Sequence, residues 1–561
     1  MIIGDDQLKQ LLIKANIANE KQLKEMSEYA ATAGVTLSDA LIEKDVLSDE
    51  NLGILISDAV KIPFIVLSKT TVPPDVLRIL PPRIIRKYKV VPFALDKNGV
   101  RLAMADPKNT ELIEFIKKKT GLATSIYYST ERDIASTLRV FRKNLQRTFD
   151  VLISQEVTRA GVSKQNEAPI AKIVDLIIDY AYQDKASDIH IEPEEKDSLV
   201  RFRIDGILHD VLFLPKNIHD QIATRIKVLS RLRTDEHLSP QDGKLRISMA
   251  EEELDIRISI LPVTEGEKIV MRLLASHFRQ FSLIDLGMNE KDLQKVTKGY
   301  SKSYGMVLST GPTGSGKTTS IYSILKLINT REKNITTIED PVEYRIKGLN
   351  QIHVNTKAEL TFANGLRSIL RQDPNIIFVG EIRDAETAGI AVNAALTGHL
   401  VLSTLHTNDA ATALPRLIDM SVEPYLVAST VNVIIAQRLV RKICELCKAA
   451  QSIPRTELLE NFPQDIIKKH FKETPSVQVY KGAGCGICHN TGYSGRVGLF
   501  EVLEVTSTIK KLIAEKNDST VLFKQAVAEG MTTMIDDGME KIIIGLTTIE
   551  EVLRVTKVET L

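Results

Sequence analysis

Several things are scarce in this sequence of 561 residues. No apolar run approaches the roughly 20 residues that a bilayer-spanning helix needs, so any membrane association is expected to run through partners. Net charge is nearly absent: 73 Lys and Arg face 72 Asp and Glu, leaving +1. Duplex binders usually display a basic surface, so nucleic acid is not an expected partner. The opening residues Met1-Ile2-Ile3-Gly4-Asp5-Asp6 carry neither a basic n-region nor an apolar h-region, which predicts a protein kept in the cytoplasm. Cysteine is limited to four residues, Cys444-x-x-Cys447 and Cys485-x-x-Cys488. In a long chain without a secretion signal, that arrangement reads as metal binding rather than disulfides.

What is present is ordinary for a soluble globular protein, with 43% hydrophobic and 26% charged residues. The length suggests three or four domains at about 150 residues each. The central feature is Gly311-Pro312-Thr313-Gly314-Ser315-Gly316-Lys317-Thr318, which fits the phosphate-binding pattern G-x-x-x-x-G-K-[ST]. Met306 to Thr310 before it reads as a short buried strand. Apolar residues at Ile321, Ile324, Leu325 and Ile328 give the segment from Thr319 a helical period. Glycines let backbone N–H groups approach phosphate oxygens, and a helix N-terminus adds a favourable partial charge. Lys317 would reach the β- and γ-phosphates of a nucleotide, and the Thr318 hydroxyl would ligate Mg²⁺. Thr319 completes the candidate nucleotide contacts.

Along the chain, residues 1–60 read as a helical module. A shift of 29 positions pairs Leu12 with Leu41, Asn19 with Ser48 and Leu23 with Leu52. This is either a duplication or two unrelated hairpins, with Asn19 and Ser48 as N-caps. Residues 61–150 switch to mixed strands and helices, with a hairpin over Val90–Leu95 and Val100–Met104 and a helix over Glu111–Lys119. Residues 151–168 are polar and read as a linker or an exposed helix end. A second α/β unit follows over 169–280, with a helix over Ile170–Gln183 and alternating strands such as Leu254–Ile260. Arg257 and Arg272 sit on those strands, where alternation alone would place them on a solvent face.

From 281 to 561 the strand-like runs Ile335–Ile338, Ile376–Val379 and Leu400–Thr404 alternate with helical segments. That pattern argues for a parallel sheet covered on both faces. Ligands of such sheets bind beyond the strand C-termini, and Glu343, Glu381 and His406 all follow strand ends.

The chain resembles the secretion ATPases of the type II and type IV pilus systems. The resemblance rests on the P-loop, the box Ile338-Glu339-Asp340-Pro341-Val342-Glu343, the box Val379-Gly380-Glu381-Ile382-Arg383-Asp384, and Thr397-Gly398-His399 through His406-Thr407. Further matches are Ala186-Ser187-Asp188-Ile189-His190, Gln241-Asp242-Gly243 and Gln437-Arg438-Leu439-Val440-Arg441. It implies a multidomain α/β protein: a RecA-like P-loop core, a preceding PAS-like domain, an N-terminal helical plus α/β module and a small zinc module near 441–495. It also implies ATP hydrolysis with Mg²⁺. Glu343 would orient or deprotonate the attacking water, Glu381 would hold Mg²⁺ indirectly, and His406 would sense the γ-phosphate. Arg257 and Arg272 match the family's arginine fingers, while Arg367 and Arg371 are weaker candidates.

The implied machine is a homohexamer that drives pilin polymerisation against an inner-membrane platform protein, with a cytoplasmic adaptor of the machine as a further candidate partner. Alternatives are a type II secretion motor and a nucleotide-gated scaffold with little turnover. Some relatives bind cyclic di-GMP through an Arg-Leu-Gly opening. Gly34-Val35-Thr36-Leu37 stands here without the arginine, so that ligand is not expected.

The cysteine pairs are separated by 37 residues. Thiolates two apart at a tight turn can share one ion, and two such turns complete a tetrahedron with no open position. Cys444, Cys447, Cys485 and Cys488 are therefore candidate ligands of a structural Zn²⁺. Gly482, Gly484 and Gly486 suit the second knuckle, and His489 is discounted because four thiolates suffice.

Overall fold

The structure, a computed structural model, describes residues 3–15, 17–33, 36–43, 46–67, 70, 72–73, 76, 79–80, 84–85, 88–96, 99–138, 170–249, 253–274, 282–471, 475–485 and 488–556. The expected linker over 151–168, together with Gly34, Val35 and Gly486, lies outside these residues. Two compact units are formed, one from Met1–Ile134 with Phe281–Leu561 and the other from Ala135–Gln280.

The chain begins with helices Asp5–Lys14, Glu20–Ala33, Leu37–Glu43 and Asp49–Val60. Asn19 and Ser48 do cap the second helix of each pair, accepting from the backbone N–H of Gln22 at 2.9 Å and of Asn51 at 3.2 Å. Leu12 and Leu41 are both fully buried, as are Leu23 and Leu52. Strands β1 (Val90–Asp96) and β2 (Gly99–Met104) form the expected hairpin. Strand β3 (Thr124–Tyr128) adds parallel to β2. The helix between them, Thr110–Thr120, stops at Gly121, whose φ of 68° is the left-handed conformation that ends many helices.

In the second unit, β4 (Asp188–Pro193), β5 (Asp197–Ile204), β6 (Ile207–Pro215), β7 (Gln241–Ser248), β8 (Glu253–Val263) and β9 (Gly266–Leu274) make one antiparallel sheet. Its order is β6-β5-β4-β9-β8-β7. Helices Ile170–Gln183 and Lys216–Leu229 bury Ile173, Ile177, Ile222 and Ile226 against alternate strand residues such as Ile256, Ile258 and Met271. The remaining strand positions, Arg257 and Arg272 among them, form the other face.

The P-loop sheet contains β10 (Gly305–Thr310), β11 (Ile335–Glu339), β12 (Asn350–His353), β13 (Ile376–Val379), β14 (Leu400–Leu405) and β15 (Val431–Ile443). After the short pair β16 (Lys448–Pro454) and β17 (Ser476–Gly482), β18 (Tyr493–Glu504) completes it. The order is β12-β11-β13-β14-β10-β15-β18, parallel except for the last pair. Apolar residues cover both faces. Ile321, Ile324 and Leu325 of helix Lys317–Ile328 pack on one side; Leu366, Ala391 and Val392 pack on the other. The P-loop helix begins at Lys317, two residues before the expected Thr319 and four before the first apolar position, Ile321.

Candidate functional site

Four parallel strands end side by side and supply the site. β10 runs between β14 and β15 and delivers Gly311 to Thr319. Gly311 (φ 142°), Gly314 (φ 78°) and Gly316 (φ 90°) turn the loop. A Cβ on Gly311 would come within 2.3 Å of the Gln437 carbonyl, and one on Gly316 within 2.8 Å of Gln437 Nε2. The loop is therefore seated directly on β15, with glycine required at both contacts. Pro312, Thr313 and Gly314 are exposed, whereas Ser315 is buried. Thr318 and Thr319 lie half-buried in the first helical turn.

Lys317 is buried, and its Nζ donates to the carbonyls of Gly311 at 2.7 Å and Pro312 at 3.1 Å. Burial lowers the ammonium's pKa from its ordinary value, and the Glu381 carboxylate opposes that shift. Among the described residues, the buried Ser315 hydroxyl has no hydrogen-bond partner. A cation folded back on its own loop and an unsatisfied buried hydroxyl fit a cradle built for an anion.

Glu381 follows β13 and His406 follows β14. Ser403 Oγ donates to the Val379 carbonyl at 2.8 Å and Thr404 Oγ1 to that of Gly380 at 2.7 Å. These bonds fasten the two strand ends together. His406 Nε2 then lies 3.2 Å from Glu381 Oε2, and Arg383 Nη2 lies 2.6 Å from Glu381 Oε1. Thr407 exchanges hydrogen bonds with Thr310, tying β14 to the start of the P-loop. Glu343 is half-buried beyond β11, and the next residue, Tyr344, meets the Tyr322 ring of the P-loop helix edge-on at 4.6 Å. The structure thus brings Lys317, Glu381 and His406 together and links Glu343 to the same helix.

Arg257 and Arg272 belong to the other unit, directly opposite each other on β8 and β9. Cross-strand partners share a face. Arg272 Nε donates to Asp188 Oδ1 at 3.0 Å, and Arg203 stands 3.5 Å from the same carboxylate. Arg367 pairs with Glu386 and Arg371 donates to the Arg367 carbonyl at 3.1 Å, both on the surface. Arg367 thus ties its helix, Phe362–Ile369, to the start of the helix Ala385–Leu396, and Arg371 caps back onto the turn before it.

The four cysteines sit where β15 hands over to β16 and where β17 returns to β18. Their sulfur atoms all lie within 4.8 Å of one another. Cys444–Cys485 is 3.9 Å, Cys447–Cys488 is 3.8 Å and Cys485–Cys488 is 3.6 Å. A tetrahedron of thiolates about 2.3 Å from one Zn²⁺ has edges near 3.8 Å, so the donor set fits that ion. The Cys485 and Gly492 amides point at Cys488 Sγ, each at 3.2 Å. Gly482 and Gly492 cross so closely that a Cβ on Gly482 would meet the Gly492 carbonyl at 2.0 Å.

Sequence reasoning gave no role to Arg383, Gln437 or Tyr322. Arg383 and Gln437 stand inside the matched boxes, which was the available signal. Tyr322 shows none, since a tyrosine on an apolar helix face reads as core.

A glycine-rich turn between a parallel strand and a helix, with carboxylates and a histidine at neighbouring strand ends, defines a P-loop ATPase. A model of the type II/IV secretion system protein family matches residues 163–554, and an MshEN domain model matches 60–147. The chain belongs to the type II/IV secretion ATPase family. It is 38% identical over 568 residues to the type IV pilus assembly ATPase PilB of Myxococcus xanthus, covering 97% of this chain and 98% of that protein. It is 43% identical over 398 residues to type II secretion system protein E of Pseudomonas aeruginosa, covering 71% and 78%. The ATPase DotB of Legionella pneumophila shares the fold, with a TM-score of 0.51 at 21% identity over 68% of this chain and 95% of that one. Among the described residues, no helix is long and apolar enough to cross a membrane.

Proposed function

We propose that this chain is the hexameric ATPase that powers type IV pilus assembly, working at the cytoplasmic face of the inner membrane on a platform protein. The observation that carries this reading is end-to-end similarity to curated pilus assembly ATPases, 98% of the Myxococcus protein's length being matched. A type II secretion motor is the second reading, favoured by the higher identity over a shorter stretch.

In the proposed reaction the P-loop amides, Lys317 and Ser315 bind the phosphates of ATP, and Thr318 would hold Mg²⁺, which neutralises phosphate charge. Glu343 accepts a proton from the attacking water as its oxygen bonds to the γ-phosphorus and the bridging P–O bond breaks. Glu381, held by Arg383 and His406, keeps the strand ends in place, and His406 is the residue exposed towards the γ-phosphate. Arg257 and Arg272 supply positive charge as negative charge develops on the transferred group. Cys444, Cys447, Cys485 and Cys488 hold one structural Zn²⁺.

The proposed domains are a helical module over 1–60, an α/β module over 61–150, a linker over 151–168, an arginine-bearing domain over 169–280 and the ATPase domain over 281–561. Purified protein should release phosphate from ATP in steady state, which a nucleotide-gated scaffold would not do. A deletion in the native host should abolish pili and leave type II secretion intact; the reverse phenotype would move the chain to the second reading.

A further inference from the structure

Glu339 ends β11 with only 2% of its surface exposed. Burying a carboxyl group costs several kcal/mol unless it is hydrogen-bonded, and this one is fully engaged. The Tyr322 hydroxyl bonds one oxygen. Thr337 Oγ1 donates to the other at 2.5 Å, and Gln351 Nε2 approaches it at 3.3 Å. Burial raises the carboxyl pKa against the pull of these bonds.

Tyr322 is itself completely buried on the P-loop helix. Its ring meets Tyr344, the residue after Glu343, edge-on at 4.6 Å and Phe378 at 6.1 Å, and Gln351 Nε2 lies 3.5 Å from its hydroxyl. Gln351, on β12, donates to the Tyr344 carbonyl at 3.1 Å and accepts from the Ile346 amide at 2.7 Å. The segment that carries Glu343 is therefore gripped on both sides, and both grips meet at Glu339.

We infer that Tyr322 and Glu339 are positioning residues that lock the Glu343 segment to the P-loop helix, so that Lys317 and Glu343 keep one geometry through the cycle. The inference rests on the assignment of Glu343 as the residue that activates water. Both side chains lie below the surface and act through Glu343 rather than on ATP. A structural pair would influence stability alone. A positioning pair controls the placement of a reacting group, where an error near 1 Å costs on the order of 10²-fold in rate.

Tyr322→Phe keeps the ring and removes the hydroxyl. Its kcat should fall roughly ten- to hundredfold, while KM for ATP and the affinity for a non-hydrolysable analogue stay within about twofold of the parent. Glu339→Gln keeps the shape and one acceptor oxygen, and its NH2 can donate to the Tyr322 hydroxyl oxygen, so it should remain near the parental rate, whereas Glu339→Leu should match Tyr322→Phe. Combining Tyr322→Phe with Glu343→Gln should slow turnover no further than Glu343→Gln alone. A parental kcat in Tyr322→Phe, a loss confined to KM, or additive losses in the double variant would overturn the inference. If Tyr322→Phe does not fold, equal rates for Glu339→Gln and Glu339→Leu would overturn it instead. Parental turnover in Glu343→Gln alone would refute the assignment of Glu343, a result read independently of Tyr322.

Discussion

His406 Nε2 lies 3.2 Å from Glu381 Oε2, joining the ends of two adjacent parallel strands across the nucleotide side of the sheet. Arg383 occupies the other Glu381 oxygen at 2.6 Å. Both Glu381 oxygens are therefore already committed to side-chain partners. In the proposed reaction Glu381 has a holding role and water activation falls to Glu343.

Glu343→Gln should keep ATP binding and lose most hydrolysis, on the order of 10²–10⁴-fold for a general base. Lys317→Ala should lose turnover because the phosphates lose their point charge, with the fold unchanged by circular dichroism. Phosphate release and binding of a fluorescent nucleotide check both. Full activity in Glu343→Gln with an inactive Glu381→Gln would exchange the two roles.

Arg257→Ala or Arg272→Ala should lower kcat by roughly 10³–10⁵, the usual contribution of an arginine finger. Nucleotide affinity and ring assembly should survive. If these arginines form only surface ion pairs, worth about 1 kcal/mol or less, turnover would barely change. Activity per chain should also rise with protein concentration as rings assemble, and a full rate in dilute monomer would contradict the ring requirement.

Metal analysis of purified protein should give close to one zinc per chain. Cys485→Ser should release it and loosen the insertion between β15 and β18, since the four sulfurs clamp its base. Faster hydrogen exchange over 448–482 would report that loosening. Metal-free protein with parental exchange would remove the zinc assignment.

A stability effect is expected at low pH from Glu551. Burial opposes its ionisation, but the bonds from Arg554 and Arg441 prevail and hold its pKa down to about 2. A depressed folded-state value stabilises the protein above the unfolded pKa near 4.5. That stabilisation disappears as pH falls from about 4.5 through 2, and amounts to about 3 kcal/mol at neutral pH. Glu551→Gln should therefore lower the melting temperature at pH 7, with the gap narrowing below pH 4.5. A gap independent of pH would assign the loss to packing.

The sequence by itself determined the elements whose physics is short-range. The P-loop was legible because its glycines, lysine and threonine must stand in fixed order where a strand becomes a helix. Asn19 and Ser48 were legible as caps, and the hairpin over β1 and β2 followed from alternation about a turn. The cysteine pairs pointed to one ion because each pair closes a tight turn. Only the tertiary structure decided which strand ends meet. Periodicity marks β10, β13 and β14 as buried strands but does not encode their order, and that order puts His406 on Glu381 and seats the P-loop on Gln437. Nor does local pattern pair β15 with β18 across the cysteine insertion, or bring Tyr322 to Glu339. Those contacts join residues distant in sequence, and their geometry is set by crossovers and core packing, which no single segment specifies.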